Sequence, residues 1–164
     1  MTDPLRTDHL PEAGEVPERE RDARVEDLLL AGLDHYFAGQ HELAISVWTR
    51  VLFLDRGHAR ARAYIDGHYT QSDLSLNEVA AQVNLSPSHF SAVFSHETGE
   101  TFKEYLTRLR IERAKELLRT TNLKSFEVAY QSGYNDPHYF SYIFRKNTGL
   151  SPQQFRLQPQ LRKP

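Results

Sequence analysis

Two stretches of the sequence decide the fold: EVAAQVNLSPSHFSAVFSHETG at residues 78–99 and EVAYQSGYNDPHYFSYIFRKNTG at residues 127–149. They begin with the same three residues, 49 positions apart, and their Phe-Ser pairs lie 50 positions apart. The second copy therefore holds one extra residue between its two halves. In each half the apolar residues recur with a helical period, and a short turn separates the halves. The repeat predicts two copies of a helix-turn-helix unit.

Local signals predict where each helix begins and ends. Ser75-Leu76-Asn77-Glu78 and Thr101-Phe102-Lys103-Glu104 are capping boxes, and Ser86-Pro87 places a capping side chain before a proline. Gly99 and Gly149 stand where the end of a helix takes a left-handed residue. No segment alternates with a period of two, so the predicted fold is all-α. The predicted helices lie near residues 58–68, 75–83, 87–97, 101–119, 125–132, 137–147 and 152–156.

The N-terminal third is predicted to be an α-hairpin behind a disordered tail. Residues 1–22 hold too few apolar side chains to offset the entropy of ordering. Helical periodicity starts at Asp22, breaks at Gly39, resumes at Leu43 and is stopped by Asp55-Arg56-Gly57. We therefore expect a tail at residues 1–22, a hairpin at 23–56, a double helix-turn-helix domain at 57–157 and a C-terminal tail at 158–164.

The second helix of each predicted unit has an apolar face and a polar face. The apolar stripes are Phe90-Val93-Phe94 and Phe140-Ile143-Phe144, and the small Ala80 and Ala129 permit close crossing of the preceding helix. An exposed helix of short polar side chains fits a major groove about 12 Å wide. His89 is a further DNA-facing candidate on the first of these helices. We expect the polar face to consist of Ser88, Ser91, Ala92, Ser95 and His96 in the first unit and of His138, Ser141, Tyr142, Arg145 and Lys146 in the second.

The helix predicted between the two units has a length suited to DNA. Residues 101–119 would form a rod of about 28 Å at roughly 1.5 Å per residue. One turn of duplex measures about 34 Å. Such a spacer could place both recognition helices in successive major grooves on one side of double-stranded DNA. Because the two units differ, we expect a single chain to prefer a non-palindromic site.

A long signature runs through the second part of the chain. It includes Leu74–Ala80, Leu85–Ser91, Glu97-Thr98-Gly99, Tyr105-Leu106, Arg110-Ile111, Arg113-Ala114, Gly133-Tyr134, Tyr139-Phe140-Ser141, Phe144-Arg145-Lys146, Ser151-Pro152 and Phe155-Arg156. With these residues, the stretch from about 58 to 157 resembles the DNA-binding region of AraC/XylS-type transcriptional regulators. The resemblance implies seven helices, two helix-turn-helix units and sequence-specific promoter binding, with RNA polymerase as a candidate partner. It also implies that Ser88, Ser91, Ala92, His138, Ser141 and Tyr142 read bases, while Arg145 and Lys146 contact phosphates.

The first unit departs from the family pattern. Relatives often carry arginine at the positions of Ala92 and Tyr142, and lysines at those of Ser95 and His96. The first recognition helix therefore has no lysine or arginine. We expect the second unit to dominate affinity and the salt dependence to be shallow. The alternative is a protein-interaction adaptor whose helix-turn-helix units no longer bind DNA.

Residues 24–54 resemble a single tetratricopeptide-type repeat. Gly32, Gly39, Ala44 and Trp48 follow its spacing, with small residues where the helices cross and an aromatic side chain to fill the groove. A lone repeat cannot bury its apolar face. The hairpin either packs on the following helix or mediates homo-oligomerisation or docking of a protein partner, and we favour the second role slightly.

Composition excludes several other classes of function. The chain of 164 residues has no cysteine, which rules out disulfides and thiolate metal sites. Eight histidines are present without the spacing of a metal site, so we expect no metal and no cofactor. Gly-rich phosphate loops and nucleophile motifs are absent from the sequence, and we expect no enzyme activity. No signal segment or membrane span is recognisable, so a cytoplasmic protein without a membrane partner is expected.

Overall fold

The computed structural model describes residues 18–158, and every regular element in that range is helical. The all-α prediction is confirmed. In chain order the helices are α1 (Glu18–Phe37), α2 (His41–Leu52), α3 (His58–His68), α4 (Leu76–Gln82), α5 (Pro87–Thr98), α6 (Phe102–Thr120), α7 (Ser125–Gln131), α8 (Pro137–Thr148) and α9 (Pro152–Leu157). The chain divides between residues 55 and 56 into two compact units. None of the described helices is long and apolar enough to cross a membrane.

Two boundaries near the N-terminus differ from the prediction. Helix α1 begins at Glu18, so residues 18–22 are helical and do not belong to a tail; the rest of that predicted tail lies outside the described residues, as does the C-terminal tail after Gln158. Phe53–Gly57 form a π-helical turn, with Gly57 in the right-handed helical region at φ −71°. Asp55-Arg56-Gly57 therefore does not end the helical backbone, because this glycine takes a conformation open to any residue.

The first compact unit, which ends at residue 55, is an antiparallel hairpin of α1 and α2. Gly39 turns the chain between them with φ +76°, a value that favours glycine. Gly32 lies directly against the indole of Trp48, because a Cβ at this position would come within 2.0 Å of Trp48 Nε1. Ala44 is buried on the facing helix. Gly32, Ala44 and Trp48 thus lie where the helices pack together, as expected, whereas Gly39 lies in the turn and not at the crossing.

The second compact unit, which starts at residue 56 and contains both helix-turn-helix units, is built around α6. Near the start of α6, Phe102 and Tyr105 pack edge-on against Phe94 of α5, with ring centroids 6.3 and 5.4 Å away. The later turns of α6 share a buried cluster with α7 and α8. That cluster comprises Ile111, Ala114, Leu117, Leu118, Val128, Ala129, Tyr134, Phe140 and Phe144. Helix α6 is therefore the linker helix that the sequence predicted, with one end in each core.

One of the predicted capping boxes is only half formed. Ser75 accepts a hydrogen bond from the backbone N–H of Glu78 at 3.2 Å, as expected. The Glu78 carboxylate does not cap the helix but accepts a hydrogen bond of 2.5 Å from the phenol of Tyr64 on α3. By contrast, Thr101 and Glu104 make both bonds of the box at the start of α6. A tertiary partner has replaced the local one at Glu78.

Candidate nucleic-acid interface

The first helix-turn-helix unit consists of α4, a tight turn and α5. Asn84 takes the left-handed conformation in this turn, with φ +57°. The N–H of Leu85 then donates to the carbonyl of Ala80 at 3.0 Å. Ser86 starts α5 by accepting from the N–H of His89, and Gly99 ends the helix with φ +75°. These local bonds fix the angle at which α5 leaves α4.

The second unit repeats this geometry with one additional turn residue. Gly133 holds the position of Asn84, with φ +95°, and the N–H of Tyr134 donates to the carbonyl of Ala129 at 2.9 Å. The Asp136 carboxylate accepts from the N–H groups of His138 and Tyr139 at the start of α8. Helices α5 and α8 each span 12 residues and each end at a left-handed glycine. The repeat seen in the sequence is a repeat of structure.

The core stripes turn the opposite faces of α5 and α8 outward. Phe90, Phe94, Phe140 and Phe144 are fully buried, whereas Ile143, expected in the same stripe, is only half-buried at the cluster edge. Of the residues expected at the DNA-facing surface, Ser91, Ser95 and Ser141 are half-buried. The others are exposed: Ser88, His89, Ala92, His96, His138, Tyr142, Arg145 and Lys146.

Some of these side chains are already held by neighbours. Ser141 donates its hydroxyl proton to the carbonyl of Pro137 at 2.9 Å. His89 lies 3.0 Å from the Ser86 hydroxyl, and His96 lies 3.0 Å from the carboxylate of Glu97. A serine that bonds its own helix is less available to a base edge than a free one. On α8, Tyr142 therefore presents a larger accessible side chain than Ser141.

Of the two outward helix faces, the one on α8 in the second helix-turn-helix unit carries the positive charge. Arg145 and Lys146 are exposed in the last turn of α8, and neither forms an ion pair within residues 18–158. On α5, His96 faces Glu97, whose side chain is only 3% exposed. Arginine and lysine are the side chains that neutralise phosphates. The outward face of α8 is thus cationic and the outward face of α5 is not.

The sequence assigned no DNA-facing or turn role to three residues of this region. Tyr139 is 45% exposed on α8, one turn before Tyr142, and the repeat could have indicated it because it holds the position of His89. Asn84 and Gly133 fix the two turns, and their residue types are those that tolerate positive φ. Over the described part of the chain, no three His, Asp or Glu side chains come together in a group that could hold a metal ion.

Comparison with known proteins agrees with this geometry. A family profile described as a helix-turn-helix domain matches residues 79–158. The chain is 44% identical to the C-terminal domain of AraT, a response regulator from Geobacillus stearothermophilus. The match covers 62% of this chain and 84% of that structure, with a TM-score of 0.60. This chain belongs to the AraC/XylS-type family.

Two further proteins are similar to the same part of this chain. The arabinose operon regulatory protein of Escherichia coli is 37% identical over 63% of this chain and 35% of its own length. The DNA-binding domain of AdpA, solved in complex with a target DNA, is 28% identical over 60% of this chain and 87% of that structure, with a TM-score of 0.57. This chain spans about a third of the length of several curated relatives that it matches, the arabinose operon regulatory protein among them.

Proposed function

We propose that this chain is a transcriptional regulator that binds promoter DNA by placing α5 and α8 in successive major grooves. The observation that carries the proposal is the repeated unit itself, in which each second helix turns a polar face outward. The α6 helix of 19 residues supports the groove spacing, since it is about 28 Å long against about 34 Å for one turn of duplex. The proposal also puts the protein in the cytoplasm, the compartment that holds the promoters of its bacterial relatives.

The two helices take unequal parts in this function. On α8, His138 and Tyr142 are exposed side chains long enough to reach base edges, and we assign phosphate contacts to the exposed cations Arg145 and Lys146. On α5, the outward face offers Ser88, Ala92 and His96, which can make few charged contacts. We infer that the second unit supplies most of the affinity and that the first unit mainly adds length to the site.

Selection of bound duplexes from a random DNA pool tests the proposal directly. The selected site should be non-palindromic, and a hydroxyl-radical footprint on it should show two protected segments about one helical turn apart. Protection of a single segment would contradict the two-groove geometry. No gel shift with any duplex at micromolar protein and low salt would favour an adaptor that has lost DNA binding.

Substitutions on α8 separate base reading from phosphate contact. His138→Ala and Tyr142→Ala should relax the base preference in a repeated selection, whereas Arg145→Ala should weaken binding to all sequences by similar factors. The matched control is Arg113→Ala on α6, where the arginine is paired with Glu116 at 2.7 Å. An unchanged base preference in both His138→Ala and Tyr142→Ala would remove these residues from the reading surface.

We propose a second role for the α1–α2 hairpin, namely self-association. Between residues 18 and 52, the hairpin exposes eight large apolar side chains, and exposed apolar surface is typical of an interaction site. Wild type should sediment as a dimer in analytical ultracentrifugation, and the double substitution Leu30→Asp, Phe37→Asp should convert it to a monomer. A monomeric wild type would contradict the role. RNA polymerase stays a predicted partner. The exposed large apolar residues of the hairpin are Leu29, Leu30, Leu33, Tyr36, Phe37, Leu43, Ile45 and Leu52.

A further inference from the structure

A buried arginine lies at the point where three segments of the second unit meet. Arg110, in the middle of α6, is only 9% exposed. Its Nε donates to the carbonyl of Tyr69 at 2.7 Å, and its Nη2 donates to the carbonyl of Gln71 at 2.7 Å. Both carbonyls belong to the connection between α3 and α4, which leads into the first helix-turn-helix unit. The guanidinium therefore ties that connection to the linker helix.

The same guanidinium contacts the turn of the second helix-turn-helix unit. Its Cζ lies 5.5 Å from the ring centroid of Tyr134, a residue that is itself 6% exposed. Burial raises the pKa of Tyr134 to about 12, so its hydroxyl stays neutral beside the cation. A Cβ on Gly133 would come within 2.7 Å of Arg110 Nε and 2.6 Å of the Tyr69 carbonyl oxygen. The second turn is thus packed directly onto the arginine and its bonding partner.

The two turns differ in the surroundings of their left-handed residue. Asn84 occupies this position in the first turn and is exposed, so its side chain meets no such obstacle. At Gly133 a side chain is excluded both by the positive φ and by the atoms of two other segments. The left-handed residue of the second turn is therefore packed against α6 and the α3–α4 connection.

Arginine is well suited to such a junction. Its planar guanidinium presents several donors in fixed directions and keeps one face for an aromatic ring. Lysine offers a single ammonium on a flexible stem and could not hold both carbonyls and the ring in the same way. Burial lowers the pKa of Arg110, but an arginine begins from so high a value that it remains charged.

We infer that Arg110 is the positioning residue that fixes the second helix-turn-helix unit against the segment leading into the first, and so sets the spacing and rotation between α5 and α8. The inference rests on the proposed DNA-binding function and deepens it. Two linked reading helices bind a joined site tightly only if their separation matches the DNA, because a mismatch lowers the effective concentration of the second contact. Loosening the junction should weaken the joined site and leave each single contact intact.

The experiment measures binding of the full chain to duplexes of different spacing. The duplexes are the selected site, the same site with insertions of one, two and five base pairs between its two segments, and a duplex carrying only the α8 segment. Wild type should bind best at the selected spacing. Arg110→Met should bind the selected site about tenfold more weakly, should bind the single-segment duplex within a factor of two of wild type, and should discriminate less between spacings.

Two further variants guard against a simple loss of folding. Arg110→Lys keeps the charge and the stem, and Gly133→Ala displaces the second turn without removing a charge. Both should also flatten the spacing profile. Arg113→Lys, one turn along α6 at a half-buried position, is the matched control and should behave as wild type. Circular dichroism of each variant shows whether its helices are retained.

The outcomes separate this inference from the proposed function. If wild type protects two segments and prefers one spacing, while the folded Arg110 and Gly133 variants keep that profile, the inference is wrong and the function stands. The inference is equally wrong if these variants lose the single-segment duplex as much as the joined site. If wild type protects one segment or binds no duplex, the proposed function itself fails.

Discussion

The charge on α8 leads to a prediction about salt. Each phosphate that a protein neutralises contributes about 0.9 to the slope of log affinity against log salt concentration. Arg145 and Lys146 are exposed and form no ion pair with any residue from 18 to 158, so each is available for one phosphate. Replacing both with alanine should lower the slope by about 1.8. Raising the salt from 50 to 200 mM weakens binding by some factor for each protein, and that factor should be about 12 times smaller for the double variant than for wild type.

The assay is fluorescence anisotropy on the selected site at four or more salt concentrations. Arg113→Ala is the control, because that arginine is already paired with Glu116 and should leave the slope unchanged. The reciprocal variant is Ser95→Arg, since Ser95 holds the repeat position of Arg145 on α5. It should raise the slope by about 0.9 if α5 lies along the DNA.

Two results would refute the reasoning. An unchanged slope in the Arg145→Ala, Lys146→Ala variant would mean that the end of α8 points away from the phosphates. An equal fall in the Arg113→Ala control would mean that the slope reports the total charge of the protein and no specific contact. A rise with Ser95→Arg, together with a fall in the α8 variant, would place both helices at the DNA.

Three further predictions concern stability and pH. Gly32→Ala should destabilise the hairpin by about 1–3 kcal/mol through overpacking against Trp48, the only tryptophan, whose fluorescence reports the unfolding of its unit in urea. Phe144→Ala should cost about 3–5 kcal/mol by leaving a cavity in the cluster around α6, measured by circular dichroism in urea. The N–H and hydroxyl of Thr101 hold the pKa of Glu104 below its ordinary value. The ionised Glu104 therefore stabilises the fold fully at pH values above its ordinary pKa, and this stabilisation is lost as the pH falls through its lowered pKa. Glu104→Gln should therefore flatten the fall of melting temperature with acid, and an unchanged fall would contradict this reading of the cap.

The helix bounds of the two helix-turn-helix units could be predicted closely because their signals are local. Ser86-Pro87 and Gly99 set the ends of α5 within one residue, since capping and left-handed termination depend on immediate neighbours. Glu78 could not be predicted in the same way. Its partner Tyr64 lies 14 residues earlier and competes with the local cap only once α3 has packed. The π-helical turn at residues 53–57 likewise differs from the prediction, which took Asp55-Arg56-Gly57 as a local signal that ends the helix.

The sequence predicts which face of a recognition helix points outward, but it does not predict which side chains already bond within the protein. Helical periodicity correctly indicates that His138, Tyr142 and Arg145 point outward, because the buried stripe fixes the opposite face. Periodicity carries no information about the Ser141 hydroxyl, which bonds the carbonyl of Pro137. Nor does it reveal Arg110, whose two bonding partners lie 41 and 39 residues away.

The difference between Asn84 and Gly133 bears on how new DNA specificities could be engineered. Helices α5 and α8 are equal in length and end alike, so one could be grafted in place of the other on an unchanged frame. The turns are not interchangeable, because transplanting the first into the second would force an asparagine side chain into occupied space. A chimera should therefore exchange the reading helices and keep each native turn.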